Sequence, residues 1–237
     1  MSGTSCIVDQ FRHFCDLNAS EAQLLQQLEL DPQTYPAGTV LCEAGSEATH
    51  LFTLVDGWAG IVRHFADGRR QVLDLYLPGQ IMRLRELGSD QARSDLVTFT
   101  DVTACPFPRT RISEVLNASP RLAEALLLML TAEQAMLTER IITISRRPAI
   151  ERLAHFVLEL RVRLGADAKA FPMPLTQELI GDLLGLSSVH VSRTFGRLRK
   201  TGLIKVADNN IEITNRVELE ALCGFCHQYL RRSDAIC

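Results

Sequence analysis

TQELIGDLLGLSSVHVSRTFGRLRK, residues 176–200, is the stretch that decides the fold. It predicts one helix capped by Thr176 and a second capped by Ser187, each with apolar residues three and four apart on a buried face. Gly181 is small where the two helices cross, and Gly185 supplies the positive φ that a sharp turn between them requires. Together these features are typical of a helix-turn-helix.

The outer face of the second helix carries short polar residues and several cations, which suits a helix inserted into the major groove of DNA. Arg193 can bind O6 and N7 of guanine with two parallel hydrogen bonds, and Val189 can contact a thymine methyl group. The cations later in the helix are placed to contact phosphates. Such contacts position the protein on the DNA but do not read its sequence. The alternative is a merely solvated face of an amphipathic helix. The candidate DNA contacts are Ser188, Val189, His190, Ser192, Arg193, Arg197 and Lys200.

The neighbouring segments extend this unit in both directions. Residues 203–206 and 211–213 predict a short hairpin around a polar turn, and Asn215 with Glu218 forms a capping box for a last helix. Upstream, Pro148 fits the first turn of a helix that runs to about residue 164. We expect a loop over residues 166–174, which contain two prolines.

One long helical pattern, after Pro120 and up to about Ile144, carries two apolar stripes. About 25 residues span about 37 Å, which is long for a domain of this size. One stripe, through Leu122 and Met136, can pack on the preceding domain, and the other is left for a second copy of the chain. The alternative is a helix buried on both sides within one chain. The candidate dimer interface is Leu127, Leu130, Leu137, Ile141 and Ile144.

Residues 35–112 alternate short strand-like runs with turn residues. Asp56-Gly57 and Asp67-Gly68 each separate two such runs, which is a strong hairpin signal. Strands at intervals of 8–12 residues indicate a small all-β sandwich or barrel. A short helix precedes them over residues 16–31, with Asn18 or Ser20 as its cap. The chain is therefore expected to have an α+β fold.

Composition and charge restrict the class of protein. Of the 237 residues 46% are hydrophobic and 22% charged, as in ordinary globular proteins rather than disordered chains. The longest apolar run, residues 125–130, is far shorter than the about 20 residues of a membrane span, and no secretory signal is visible. We therefore expect a cytoplasmic protein with no membrane partner.

The charge is unevenly distributed along the chain. Residues 1–145 hold 11 Lys and Arg against 18 Asp and Glu, whereas residues 146–237 hold 14 against 10. A basic C-terminal part is what a polyphosphate backbone attracts, although so modest an excess can also arise by chance.

This order of elements resembles the CRP/FNR family of bacterial transcription regulators. The resemblance implies a cyclic-nucleotide-binding-like β-roll with an N-terminal helix over residues 1–118, a long dimerisation helix over 119–145, and a winged helix-turn-helix over 146–237. It also implies a homodimer on an inverted repeat of double-stranded DNA, with half-sites about 10 base pairs apart, and contact with RNA polymerase. The residues that carry it are LFTLVDG (51–57), DGRR (67–70), LPG (77–79), ISRRPAIERLAH (144–155) and residues 175–204.

Two departures from the family pattern concern specificity. Well-known members have a Glu where this chain has Val189, so the operator is expected to share the guanine read by Arg193 and to differ at the position that the Glu would read. Cyclic-nucleotide binders have Gly-Glu-Leu followed by Arg-Ser/Thr-Ala, and Asp95 here would repel a cyclic phosphate, so cyclic AMP is not the expected effector. Candidates for binding another anion are Arg83, Arg85, Arg93 and Ser94. The alternative for the arginines is that they are solvated charges on a loop.

Seven cysteines in a chain without a visible signal peptide do not indicate a disulfide framework. Cys42 and Cys105 are expected to be small core residues. Oxygen-sensing family members bind an iron–sulfur cluster, usually through a closely spaced N-terminal cysteine group, which Cys6 and Cys15 alone do not form.

The C-terminal cysteines leave the cofactor open. Cys223 and Cys226 form a C-x-x-C pair, and Cys237 ends the chain. Such a group can hold an iron–sulfur cluster or zinc, can form a reversible disulfide, or can consist of ordinary cysteines. A redox-sensing regulator is therefore an alternative function.

A rival class is an enzyme or a ligand-binding regulatory subunit built on the same β domain. The six histidines are scattered, and the sequence contains no glycine-rich phosphate loop and no nucleophile elbow. The residues therefore favour a DNA-binding regulator over an enzyme.

Overall fold

A computed structural model describes residues 5–165 and 169–230. The chain divides into two compact units, residues 1–131 and 132–237, and the division falls inside one long helix. The predicted boundaries after residues 118 and 145 stay a prediction. Within the described ranges, no helix is both long and apolar enough to cross a membrane.

Two short helices open the first unit, α1 (Cys6–Arg12) and α2 (Ala19–Gln26), and a 3₁₀ turn (Gln27–Glu29) follows. The sequence predicts only α2. Of its two candidate caps, Asn18 is the one used, because its side chain accepts the backbone N–H of Glu21 while the Glu21 carboxylate accepts the N–H of Asn18. This capping box satisfies two N–H groups that the first turn of the helix leaves free.

Eight strands follow and form two antiparallel four-stranded sheets. The first sheet has the order β1-β8-β3-β6 and the second β2-β7-β4-β5. The strands are β1 (Gln33–Tyr35), β2 (Val40–Cys42), β3 (His50–Asp56), β4 (Ala59–His64), β5 (Arg70–Tyr76), β6 (Ile81–Met82), β7 (Asp95–Thr98) and β8 (Val102–Pro108).

One of the two predicted hairpins is wrong. Asp67-Gly68 does join two paired strands, β4 and β5, but Asp56-Gly57 joins β3 to β4, which lie in different sheets. At this second site the Trp58 N–H donates to the Thr100 hydroxyl at 2.9 Å, and the Trp58 carbonyl accepts from Phe99 at 2.7 Å. These remote partners direct the chain from one sheet to the other.

The apolar core of the first unit joins the β sheets to helices. After α3 (Thr110–Ala118) begins α4 (Pro120–Arg146), whose residues Leu122, Leu126 and Met129 are buried in this core. This agrees with the predicted packing of one stripe on the preceding domain. Met136, the last residue of that stripe, lies outside the cluster and is half-buried.

The second unit contains the remaining elements. Its helices and strands pack around buried residues of α5, where all positions from Leu153 to Leu160 are buried. The elements are α5 (Ala149–Arg163), β9 (Ala170–Pro172), α6 (Gln177–Leu184), α7 (Ser188–Lys200), β10 (Ile204–Ala207), β11 (Asn210–Ile213), α8 (Arg216–Cys223) and a 3₁₀ turn (His227–Leu230).

A three-stranded sheet, ordered β10-β11-β9, includes a strand that the sequence places in a loop. β9 pairs with β11, and Pro172 is tolerated because it ends an edge strand. The predicted hairpin is present, with Asp208 and Asn209 both left-handed at φ 48° and 58°, as a tight two-residue turn requires. Pro148 lies at the N-cap position of α5, one residue before the first turn in which the sequence places it, and its side chain makes no capping hydrogen bond.

The helix-turn-helix has the predicted caps and turn. The side chains of Thr176 and Ser187 accept the N–H groups of Leu179 and His190 at 3.2 Å each. Gly185 has φ 66°, and a Cβ atom on Gly181 would overlap the carbonyl oxygen of Leu186. The crossing of α6 and α7 therefore depends on a bare Cα at position 181.

We expect Gly181→Ala to lower the free energy of unfolding of the second unit by about 1–3 kcal/mol, because the new methyl group forces backbone apart. Gly196→Ala is the matched control, since a Cβ there meets nothing within 4 Å and alanine favours a helix interior by up to about 1 kcal/mol. Scanning calorimetry should show a lower Tm for Gly181→Ala and a higher Tm for Gly196→Ala than for the wild type. Equal shifts would contradict the close crossing.

Candidate functional site

All seven candidate DNA contacts lie on α7, and all seven side chains are exposed. Val189, for example, is 58% exposed, although it is apolar. The opposite face of α7 is buried through Val191, Thr194, Phe195 and Leu198, as its helical spacing predicts. The structure thus brings the candidate contacts together on one outward surface.

This surface is basic and contains no acidic residue. Four cations, Arg193, Arg197, Arg199 and Lys200, project from it, and none of them has a carboxylate partner among the described residues. Three of them lie in the last turn, where they also interact favourably with the helix dipole. Unpaired cations on a rigid helix are available to bind phosphates or base edges.

Two arginines without a predicted role support the helix-turn-helix, Arg152 directly and Arg147 through Arg152. Arg152 on α5 donates from Nη1 to the Leu184 carbonyl at 3.1 Å, at the end of α6, and from Nε to the Arg147 carbonyl at 2.7 Å. Arg147 in turn donates to Glu139 on α4 at 2.7 Å. Local periodicity does not reveal the bond between Arg152 and Leu184, because the two residues lie 32 positions apart.

Comparison with known proteins agrees with this geometry. The pattern of the Crp-like helix-turn-helix domain matches residues 151–222, and that of the cyclic nucleotide-binding domain matches residues 32–119. The chain belongs to the CRP/FNR family. Its matches are transcription regulators rather than enzymes, so the rival enzyme interpretation is wrong.

The chain is similar to family members along most of its length. It is 27% identical to the Anaerobic regulatory protein of Aggregatibacter actinomycetemcomitans, over 93% of this chain and 87% of the relative. It is 25% identical to the Nitrogen fixation regulation protein FixK of Bradyrhizobium diazoefficiens, over 94% and 100% respectively. The solved structure of FixK2 from Bradyrhizobium japonicum aligns with a TM-score of 0.75, at 25% identity, over 81% of this chain and 96% of that one.

Arg83, a candidate effector residue, is not a solvated loop charge in this CRP/FNR protein. Its side chain is only 2% exposed, and Nε and Nη2 donate to one carboxylate oxygen of Glu86 at 2.9 and 2.8 Å. Nη1 donates to Sγ of Cys42 at 2.7 Å. The Arg83 backbone is left-handed at φ 69°, and its N–H donates to the Tyr76 hydroxyl. The Arg83 guanidinium is therefore already bound by side chains of the protein.

The other three effector candidates do not form one site with Arg83. Arg85 pairs with Asp74, Ser94 is buried, and Arg93 is exposed. Asp95, whose charge is predicted to repel a phosphate, accepts from the Ala44 N–H at 2.7 Å and lies 2.8 Å from Nδ1 of His64. Arg83 and Arg85 are thus neutralised by internal carboxylates.

The cysteines have unequal environments. Cys105 is a core residue as predicted, and burial raises its pKa to about 11. Cys42 is half-buried and packs against the apolar core, but its Sγ also contacts Ser46 and the Arg83 guanidinium, so its prediction as a core residue is met only in part. Burial also raises the pKa of Cys223 to about 11, and its thiol donates to the Leu219 carbonyl at 3.3 Å.

The C-terminal cysteines, which leave a metal or cluster open as one alternative, are not assembled as a ligand set in the part that the structure describes. Cys226 is exposed, the buried Cys223 thiol disfavours the thiolate that metal binding needs, and Cys237 lies outside the described residues. Among residues 5–165 and 169–230, no three His, Cys, Asp or Glu side chains are grouped to hold a metal ion. A cluster on these cysteines stays a prediction.

We expect Glu86→Ala to destabilise the first unit by about 3 kcal/mol, because it leaves the buried Arg83 charge without its carboxylate. Trp58, the one tryptophan, is buried in this unit, so its fluorescence during urea denaturation measures the loss. Arg93→Ala, which removes an exposed charge, should change the free energy of unfolding by less than about 0.5 kcal/mol. Unchanged stability in Glu86→Ala would show that the pair does not form in solution.

Proposed function

We propose that the chain is a homodimeric, sequence-specific DNA-binding transcription regulator. Its α7 helices would enter successive major grooves of an inverted repeat, with half-sites about 10 base pairs apart. The observation that carries this proposal is the outer face of α7, which is exposed, free of acidic residues and lined by four cations without carboxylate partners among the described residues. Family membership supports the same function.

Specific recognition is assigned to the first half of α7. Arg193 would bind guanine through O6 and N7, and Val189 would contact a thymine methyl group, because it has no hydrogen-bonding group for a base. Ser188, His190 and Ser192 are short enough to reach base edges or phosphates near the helix start. Arg197 and Lys200 would bind phosphates, with Arg199 beside them, and so add affinity without sequence preference.

Dimerisation is assigned to α4. Leu127 and Ile141 are 66% and 68% exposed, and Ile142 is 44% exposed, although all three are large apolar residues. Leu130, Leu137 and Ile144 are half-buried at compatible helical spacings. A second α4 helix packed along this stripe would remove apolar surface from water and pair the two DNA-binding units.

The effector of the proposed regulator is not a cyclic nucleotide. The guanidinium groups of Arg83 and Arg85 are already bound to Glu86 and Asp74, so a cyclic phosphate finds no free cation at this turn.

The proposed setting is the cytoplasm, and contact with RNA polymerase is inferred from the family alone.

Arg193→Ala should weaken binding to an operator selected from random double-stranded DNA by about 1–3 kcal/mol, and should relax the preference for guanine at one position per half-site. Fluorescence anisotropy at fixed salt measures both effects. Arg69→Ala removes the same charge from an exposed site in the first unit and should bind the operator like the wild type. Equal binding by Arg193→Ala and wild type would contradict the assigned contact.

Ile141→Glu should convert the dimer to a monomer at micromolar concentration, because it places a charge in the apolar stripe of each α4. Size-exclusion chromatography with light scattering gives the mass directly. Val217→Glu is the control, since Val217 is 77% exposed on α8, outside the stripe. A dimer that survives Ile141→Glu, or a wild type that is monomeric, would refute the assigned interface.

A further inference from the structure

The segment that follows the matched helix-turn-helix pattern folds back onto α5. That pattern ends at residue 222, and the 3₁₀ turn beyond it packs against α5. The Phe225 ring meets His155 edge-on at a centroid distance of 5.0 Å, and the Tyr229 ring is stacked parallel to His155 at 6.0 Å. Phe225 and Tyr229 also meet each other at 6.3 Å. Three rings from two remote segments thus form one cluster.

His155 connects this cluster to α4. Its side chain is almost fully buried, and Nε2 lies 3.2 Å from Oε1 of Glu139, within ion-pair distance but without hydrogen-bond alignment. The same carboxylate oxygen accepts from Arg147 at 2.7 Å, where α4 bends into α5. Burial lowers the pKa of His155, so at neutral pH the imidazole is an uncharged ring that packs well between two aromatic rings.

The contacts continue from the bend to the DNA-binding motif. The Arg147 carbonyl accepts from Arg152, whose guanidinium also donates to the Leu184 carbonyl at the turn before α7. The C-terminal rings, the end of α4, the bend and the helix-turn-helix therefore form an unbroken chain of contacts inside the second unit.

We propose that residues 225–230 act as a C-terminal clamp, with His155 as its positioning residue, that sets the angle between the second half of α4 and the recognition helix α7. The proposal rests on the proposed function, because that angle matters only when two α7 helices must meet two half-sites together. The clamp would act through packing of rings. Among the described residues, the buried Tyr229 hydroxyl has no hydrogen-bond partner, so the aromatic ring carries the contact.

The clamp makes a specific prediction about spacing. A dimer in which both recognition helices are held at one angle prefers one separation of half-sites. The two helices are then already oriented for that separation before the DNA binds. If the clamp is loosened, each α7 helix still binds its own half-site, but the distance between the two α7 helices is no longer fixed. Binding to the full inverted repeat should therefore weaken while binding to a half-site does not.

Tyr229→Ala and Phe225→Ala test this in the full-length protein. Each should weaken binding to the selected inverted repeat about tenfold, leave the Kd for a single half-site duplex within about twofold, and reduce the penalty for one inserted base pair between half-sites. Tyr229→Phe is the matched control, since it keeps the ring and removes only the unpartnered hydroxyl, and it should bind like the wild type.

The outcomes separate the clamp from its alternatives. Parallel loss of half-site and full-site binding in both alanine variants would show that the segment only maintains the fold, and would overturn the clamp. Unchanged binding and unchanged spacing preference in both would overturn it as well. A wild type that selects no inverted repeat would refute the proposed function instead.

Discussion

The buried carboxylate of Glu159 joins two helices of the second unit. One of its oxygens lies 3.1 Å from the Arg140 guanidinium on α4 and 3.3 Å from that of Arg163 on α5, and all three side chains are more than nine-tenths buried. Guanidinium groups remain charged in a protein interior and need nearby carboxylates, and Glu159 supplies one to both arginines. Because Arg140 and Glu159 come from successive helices, the pair ties the end of α4 to the helix that supports the DNA-binding motif. The part of the apolar stripe after residue 131, with Leu137, Ile141 and Ile144, and the basic face of α7 thereby belong to one unit.

Features that depend on local sequence could be predicted. The caps at Thr176 and Ser187, the turn at Gly185 and the buried face of α7 all follow from residues within a few positions of one another. The length of α4 and the outward position of all seven candidate DNA contacts were predictable as well, because helical periodicity decides which side chains share a face. What those side chains bind is a question of chemistry that periodicity does not answer.

Features that depend on remote partners could not be predicted. Asp56-Gly57 has the composition of a hairpin turn, but contacts with residues 99 and 100 send the chain into the other sheet. β9 becomes a strand only because β11 lies beside it. Arg83 and Cys42 meet although 41 positions separate them, and Arg152 reaches a carbonyl 32 positions away. For such contacts, sequence pattern supplies the residue types but not the pairing.

The internal carboxylate at Arg83 has a consequence for any anion that approaches this turn. Glu86 is attached three residues away on the same chain, so it competes as an intramolecular ligand whose effective concentration is at least in the millimolar range. A monovalent anion at micromolar concentration cannot displace such a competitor by mass action. To bind this guanidinium, a ligand would therefore have to offer more charge, or more simultaneous contacts, than Glu86 already provides.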